Sequence, residues 1–163
     1  MSLLNAPIVR RLREVAALRL LQRMHRITHR LPVKLRPIER AKLLVVAPHM
    51  DDDVIGPGGT LVLHRRLKSE VNVVFCAAGA TPEQDRTRKQ ETEQAARFME
   101  FARVEHLNFP EGSMSLHEAA MAEKLAGLLR ELSPEQVFCP FVSDHHRDHT
   151  AVALALAQVI RQS

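Results

Sequence analysis

The sequence predicts a three-layer α/β domain on a mostly parallel sheet, preceded by a basic amphipathic helix. Three observations predict it. Short apolar runs alternate four times with helical runs from residue 43 onward. The first of those runs, Leu43–Ala47, is apolar at every position, as a central parallel strand buried on both faces should be. The residues richest in chemistry follow directly after two of the strand-like runs, where the loops of such a sheet collect ligands.

The N-terminal stretch from Ile8 to about Leu31 lacks glycine and proline, and its apolar residues recur at helical spacing between arginines. Pro32 and Pro37 end it and give an extended connector, so residues 1–40 form a basic appendage ahead of an α/β domain over 41–163. One reading lays this helix on the body or on a second protomer as a homo-oligomer contact. Another rests it on the anionic inner face of a membrane. A cleavable targeting peptide fits less well, because serine is scarce and no small-residue cleavage site follows. His25 and His29 are four apart on this helix and read as a solvated pair among arginines, whose positive field repels a metal.

From residue 43 the elements alternate. A helix over Thr60–Lys68 is entered through glycines, with Thr60 a plausible N-cap. A second apolar strand covers Val71–Cys76 and a charged amphipathic helix Asp85–Phe101. A weaker strand covers Glu105–Phe109 and a helix Leu116–Leu132. A fourth strand runs over Gln136–Cys139 and a last helix over Thr150–Arg161. Such repeats imply right-handed crossovers with helices on both faces.

Composition narrows the function. The chain has 163 residues, 45% hydrophobic and 26% charged, the profile of one ordinary domain. No apolar run reaches the ~18 residues that cross a bilayer. Cys76 and Cys139 sit in strand-like runs and read as buried free thiols of a reducing, cytoplasmic compartment. Six Phe with no Tyr or Trp argue against a base-stacking nucleic-acid platform. Eleven of the 23 Lys and Arg, but only two of the 19 acids, fall in residues 1–42, so the body itself is mildly acidic.

Two segments carry the chemistry. Pro48–Asp53 reads PHMDDD and Asp144–His149 reads DHHRDH; together they hold five acids and four of the nine histidines in twelve positions. Adjacent carboxylates resist ionising together unless a positive charge stands among them, and a divalent metal held partly by imidazoles is such a charge. One His and one Asp from the first segment with one His from the second would leave positions open for water and substrate, as in catalytic zinc sites. Helix capping accounts for Asp51–Asp53 but not for the second segment. Gly56–Thr60 is neither a dinucleotide fingerprint nor a P-loop, and its glycines suit close packing of the loop under the following helix.

These residues resemble the zinc-dependent de-N-acetylases of the PIG-L, or LmbE-like, family. Pro48–Asp53 with Gly56–Thr60 is similar to its first motif, [AP]-H-P-D-D-E followed by a Gly-rich turn and Thr. His146-Arg147-Asp148-His149 resembles its H-P-D-H motif. Arg88–Glu91 with Ala95 and Ala96 resembles its middle helix, and Phe109–Gly112 the loop after its third strand. The resemblance implies a Rossmann-like fold and one Zn2+, or another divalent transition metal, held by His49, Asp52 and His149. It implies Asp51 as general base on the hydrolytic water, His146 steadying or protonating the tetrahedral intermediate, and Asp148 orienting His146. The implied substrate is a small N-acetylated amino sugar or conjugate, such as one of N-acetylglucosamine.

Met50, Asp53 and Pro57 depart from the family pattern, and the chain is expected to lack the family's C-terminal part. His145, four residues before His149, can share its helical face, but the family pattern favours His146. Arg88 either anchors an anionic group of the substrate or pairs with Glu91 or Glu93. Two other functions stay open: a metal-dependent phosphoester hydrolase, and a catalytically incomplete metal-binding domain tethered to membrane or nucleic acid by its basic helix.

Overall fold

The computed structural model describes residues 38–162. The expected helix over 8–31, with His25 and His29, therefore lies outside the described residues, as does most of the expected appendage over 1–40.

The element order is β1 (Lys42–Ala47), α1 (Asp52–Ile55), α2 (Gly58–Arg66), β2 (Glu70–Ala77), α3 (Pro82–Met99), β3 (Arg103–Phe109), a 3-10 turn (Met114–Leu116), α4 (Glu118–Leu132), β4 (Gln136–Phe138) and α5 (Arg147–Gln162). The strands form one parallel sheet in the order β3-β2-β1-β4. The α/β class is as expected. So is the continuous apolar run at its centre, because the five residues Leu43–Ala47 are all buried and serve both faces of the sheet. Leu44 and Val46 join Met121, Leu125, Val152 and Leu156 on the face covered by α4 and α5. Leu43, Val45 and Ala47 join Leu61 of α2 and Met99 of α3 on the other.

This order creates a crevice. From β1 the chain winds outward through β2 to β3, then returns across the sheet to lay β4 on the free side of β1. Right-handed crossovers then put the helices of the two windings on opposite faces. The loops after β1 and β4 diverge, and between them lies the switch point where open α/β sheets hold ligands.

Four details differ from expectation or sharpen it. Cys76 is buried, and burial pushes its thiol up to about 12. Cys139, expected to be buried, is exposed, because β4 pairs over only three residues and ends at Phe138. Thr60 lies inside α2; the residue before that helix is Pro57, which makes no side-chain cap. The helix expected from Thr150 begins at Arg147, which places Asp148 and His149 in its first turn.

At the end of β3 the register against β2 shifts by one residue: Phe75 pairs with His106, but Ala77 pairs with Phe109. Asn108 takes up the extra residue with φ of 58° and accepts a hydrogen bond from Lys89 Nζ at 2.8 Å. Such a bulge re-aims the chain beyond it, and here the chain beyond it is the Pro110–Gly112 loop, which reaches the site.

Candidate metal centre

Pro48 continues the β1 pairing by accepting from the Ala77 amide at 2.8 Å, and the chain then turns sharply. In that turn the His49 amide donates to Asp52 Oδ2 at 2.9 Å, and the Asp52 amide returns to the His49 carbonyl at 3.4 Å. Residues 49 and 52 therefore face each other. Asp51 occupies the cap position of α1 without making a side-chain capping bond, so capping does not account for its carboxylate. Gly56 closes α1 where a Cβ would stand 2.8 Å from the Asp52 carbonyl oxygen, so only glycine lets this loop pack as it does.

The second segment arrives through the first turn of α5. His149 Nε2 stands 3.2 Å from Asp52 Oδ2, and His49 Nδ1 stands 3.3 Å from the same oxygen. The far nitrogen of each ring meets a different carboxylate: His49 Nε2 lies 3.2 Å from Asp148 Oδ2, and His149 Nδ1 lies 3.0 Å from Asp144 Oδ2. An ionised carboxylate only accepts, so Asp148 and Asp144 favour a proton on each far nitrogen, and a neutral ring held that way turns its lone pair inward, the tautomer a metal ligand needs. With both rings neutral, the near nitrogens present lone pairs to an anionic oxygen. Three such donors repel one another unless protons or a cation stand between them.

A divalent ion fits this arrangement. Ligand atoms about 2.0–2.1 Å from a tetrahedral centre stand about 3.3–3.4 Å apart, and the two separations measured at Asp52 Oδ2 are 3.3 and 3.2 Å. Carboxylates on the outer nitrogens are the usual support of metal-bound histidines. His146 completes a group of three imidazoles whose donor atoms lie within 4.8 Å of one another. Its ring centroid is 4.8 Å from those of His49 and His149.

The charges follow from these contacts. Hydrogen bonding to Asp52 raises the His49 pKa, against burial and with help from Asp148. Burial pushes Asp52 up, but bonds from the His49 ring and amide and the charge of His149 outweigh it and hold its pKa below the usual carboxylate range. Asp148 is 1% exposed. Burial pushes it up too, yet the Gly112 amide, the His49 ring and the Met114 amide prevail and keep it low. The His146 amide and then the His149 ring lower Asp144. Asp53, where the family motif has glutamate, is 2% exposed, and burial raises its pKa.

Of the residues singled out in the sequence, His49, Asp52, His146 and His149 come together. Asp51 lines the same cavity of about 370 Å³, with Arg88, Glu91 and Glu111. His146, rather than His145, stands in the imidazole group. Two expectations change. Asp148 was expected to orient His146, but its carboxylate bonds to His49, Gly112 and Met114 instead. It is buried at the start of α5, where the re-aimed Pro110–Gly112 loop reaches it. Arg88, expected either on the substrate or on Glu91 or Glu93, lines the cavity, and its ion pair there is with Glu111 at 3.1 Å rather than with Glu91 or Glu93. Asp144 carried no role in the sequence reading, though its position five residues before His149 was the available signal.

Comparison with known proteins agrees with this fold. The conserved protein TT1542 from Thermus thermophilus is 32% identical with a TM-score of 0.65, covering 74% of this chain and 56% of that one. The N,N'-diacetylchitobiose deacetylase from Pyrococcus horikoshii is 27% identical with a TM-score of 0.66, covering 76% and 50%. GalB, the 4-carboxy-2-hydroxymuconate hydratase from Pseudomonas putida KT2440, shares the fold at 22% identity and a TM-score of 0.66, covering 73% and 55%. This chain thus spans 50–56% of the length of these three structures. The model of one family, PIG-L, described as GlcNAc-PI de-N-acetylase, matches residues 44–160, and with most of the α/β domain inside that match, the chain belongs to the PIG-L family.

Proposed function

We propose that this chain is a metal-dependent amide hydrolase that removes acetyl from an N-acetylated amino sugar, with zinc held by His49, Asp52 and His149. The observation that carries the reading is the convergence of His49 Nδ1 and His149 Nε2 on Asp52 Oδ2, in a cavity that also holds Asp51 and His146. A divalent ion bound there supplies positive charge that polarises the amide carbonyl and acidifies water.

The chain's own groups have separate tasks. Asp51, one residue from a ligand and free of capping duty, takes the proton from the attacking water. His146, which lines the same cavity, donates to the oxygen that becomes negative, a contribution of about 3 kcal/mol for one well-placed donor. The water oxygen bonds to the carbonyl carbon, the C–N bond breaks, and the proton passes to the departing amine. Asp148 and Asp144 do not touch the substrate; they hold the rings of His49 and His149 with the free nitrogen facing inward. The sugar hydroxyls find partners in Glu91, Glu111 and Arg88. Residues 1–40 are a separate basic appendage in this reading.

The test is acetate release from N-acetylglucosamine conjugates with and without zinc, comparing the full chain with Asp51→Asn. The expected result is zinc-dependent release that falls by about 10²–10⁴ in the variant, with zinc affinity retained. No release under any metal condition, or full activity in the variant, would refute it.

A further inference from the structure

The geometry points to a substrate whose N-acyl group is a hydrocarbon chain longer than acetyl, housed in a second cavity on the β4 side of the metal centre. This rests on the amide-hydrolase reading proposed above and replaces the acetyl group assigned there by a longer acyl chain.

Asp52 and His149 line two cavities. The polar one, about 370 Å³, holds Asp51, His146, Glu91, Glu111 and Arg88. The other, about 500 Å³, is walled largely by Ile55, Pro57, Thr60, Phe138, Cys139 and Pro140. It fills the crevice between the loops after β1 and β4, and it exists because β4 ends at Phe138 while β1 continues to Ala47. Val46 and Ala47 line its floor. Ile55 at its edge is 76% exposed, a large apolar side chain in contact with water beside a charged centre.

An acetyl methyl needs only a small fraction of this space, and ligand sites run from about 300 to 1,000 Å³. The acyl carbon is the one attacked, so whatever is bonded to it begins at Asp52 and His149. The sugar, which carries hydroxyls, belongs in the polar cavity with the acids and Arg88. A hydrocarbon on the other side of the carbonyl then runs into the apolar cavity. An alkyl aglycone leaves the sugar away from the amide, so its path does not start at the two shared residues.

The chemistry is unchanged: water's oxygen bonds to the acyl carbon, the C–N bond breaks, the amine takes the proton and a longer carboxylate leaves. Each methylene moved from water into an apolar site contributes about fourfold. N-hexanoylglucosamine has four more methylenes than the N-acetyl compound, about 200-fold if all are buried and about 15-fold if half are.

The test measures kcat/KM of the zinc-loaded full chain for N-acetyl-, N-butanoyl- and N-hexanoylglucosamine, and for octyl N-acetylglucosaminide. Calorimetric affinity of the metal-free protein for the same compounds is measured beside it. Support is a hexanoyl preference of at least about tenfold in both readouts, together with its loss in Cys139→Phe and in Thr60→Leu, which fill the cavity from opposite walls. Acetyl turnover equal to or above hexanoyl turnover overturns this inference and leaves the deacetylase reading standing. A gain from the octyl aglycone without one from the acyl chain overturns it in favour of an aglycone site. No hydrolysis of any N-acyl compound overturns both.

Discussion

Replacing Asp144 by asparagine exchanges one carboxylate oxygen for an NH2 group with almost no change of shape. The carboxylate uses both oxygens: Oδ1 accepts from the His146 amide at 2.9 Å and Oδ2 from His149 Nδ1 at 3.0 Å. A backbone amide can only donate, so the single carbonyl oxygen of asparagine must stay on His146. The new NH2 then faces His149 Nδ1, which must become the acceptor. The ring proton moves to Nε2 and points at Asp52, where a lone pair is needed for a ligand. Removing such an outer partner typically costs 10–100-fold in metal affinity. Measured at metal equal to 1,000 times the wild-type Kd, linked stabilisation falls from about 4.1 kcal/mol to about 2.7 or 1.4. At roughly 4 °C per kcal/mol for a domain near this size, the metal-loaded Tm drops by about 5–10 °C. The metal-free Tm should hardly move, because the bond to His146 survives. Asp144→Ala loses both bonds and should lower the metal-free Tm as well. Calorimetric metal titration beside paired melts decides it: an asparagine variant with wild-type metal affinity would refute the tautomer argument.

Three further outcomes follow from the fold. Gly56→Ala puts a Cβ 2.8 Å from the Asp52 carbonyl oxygen; the loop must shift, so metal affinity should fall together with an unfolding free energy lowered by about 1–3 kcal/mol, read by titration and urea unfolding. Leu125 of α4 is fully buried in the core on the α4–α5 face, and Leu125→Ala should cost about 2–5 kcal/mol, visible as a lower urea midpoint at unchanged slope. The Gly79 amide and then Lys89 hold the Asp85 pKa below its ordinary value. A group lowered on folding stabilises above its unfolded pKa and stops doing so as pH falls through the folded one. The stability gap between wild type and Asp85→Asn should therefore be full at neutral pH and close in acid, and a gap independent of pH would contradict that assignment.

The sheet was legible because its signals are local. Leu43–Ala47 has no polar position, which only a strand covered on both faces can afford, and the helix expected over Leu116–Leu132, observed from Glu118, repeats its apolar residues at the spacing that buries Met121, Leu125 and Leu128. Edges were less legible. Cys139 follows an apolar run like Cys76, yet its exposure depends on β4 pairing over three residues, and pairing length is a property of the neighbouring strand as much as of its own. The start of α5 was missed because Arg147-Asp148-His149 carries no apolar periodicity; what holds that turn is the Gly112 and Met114 amides meeting Asp148 from another loop.

The same distinction runs through the site. Residue types and spacing announced that a His and an Asp of the first segment meet a His of the second, and the family resemblance singled out His49, Asp52 and His149 among them. They could not say which carboxylate supports which ring, because a histidine has two nitrogens and two acids stood within reach in the same segment. That choice is made by the bulge at Asn108, which turns the chain after β3 so that Gly112 reaches Asp148 and draws its carboxylate beneath His49. Asp144, outside that contact, is left for His149. The ring orientations at one end of the sheet thus depend on one extra residue in a strand that contributes nothing to the metal centre itself. Deleting Asn108 should restore the β2–β3 register and withdraw Gly112 from Asp148, so metal affinity should fall although every ligand and both outer carboxylates remain; a deletion variant that folds and binds zinc as tightly as the wild type would show that Asp148 finds His49 without the loop.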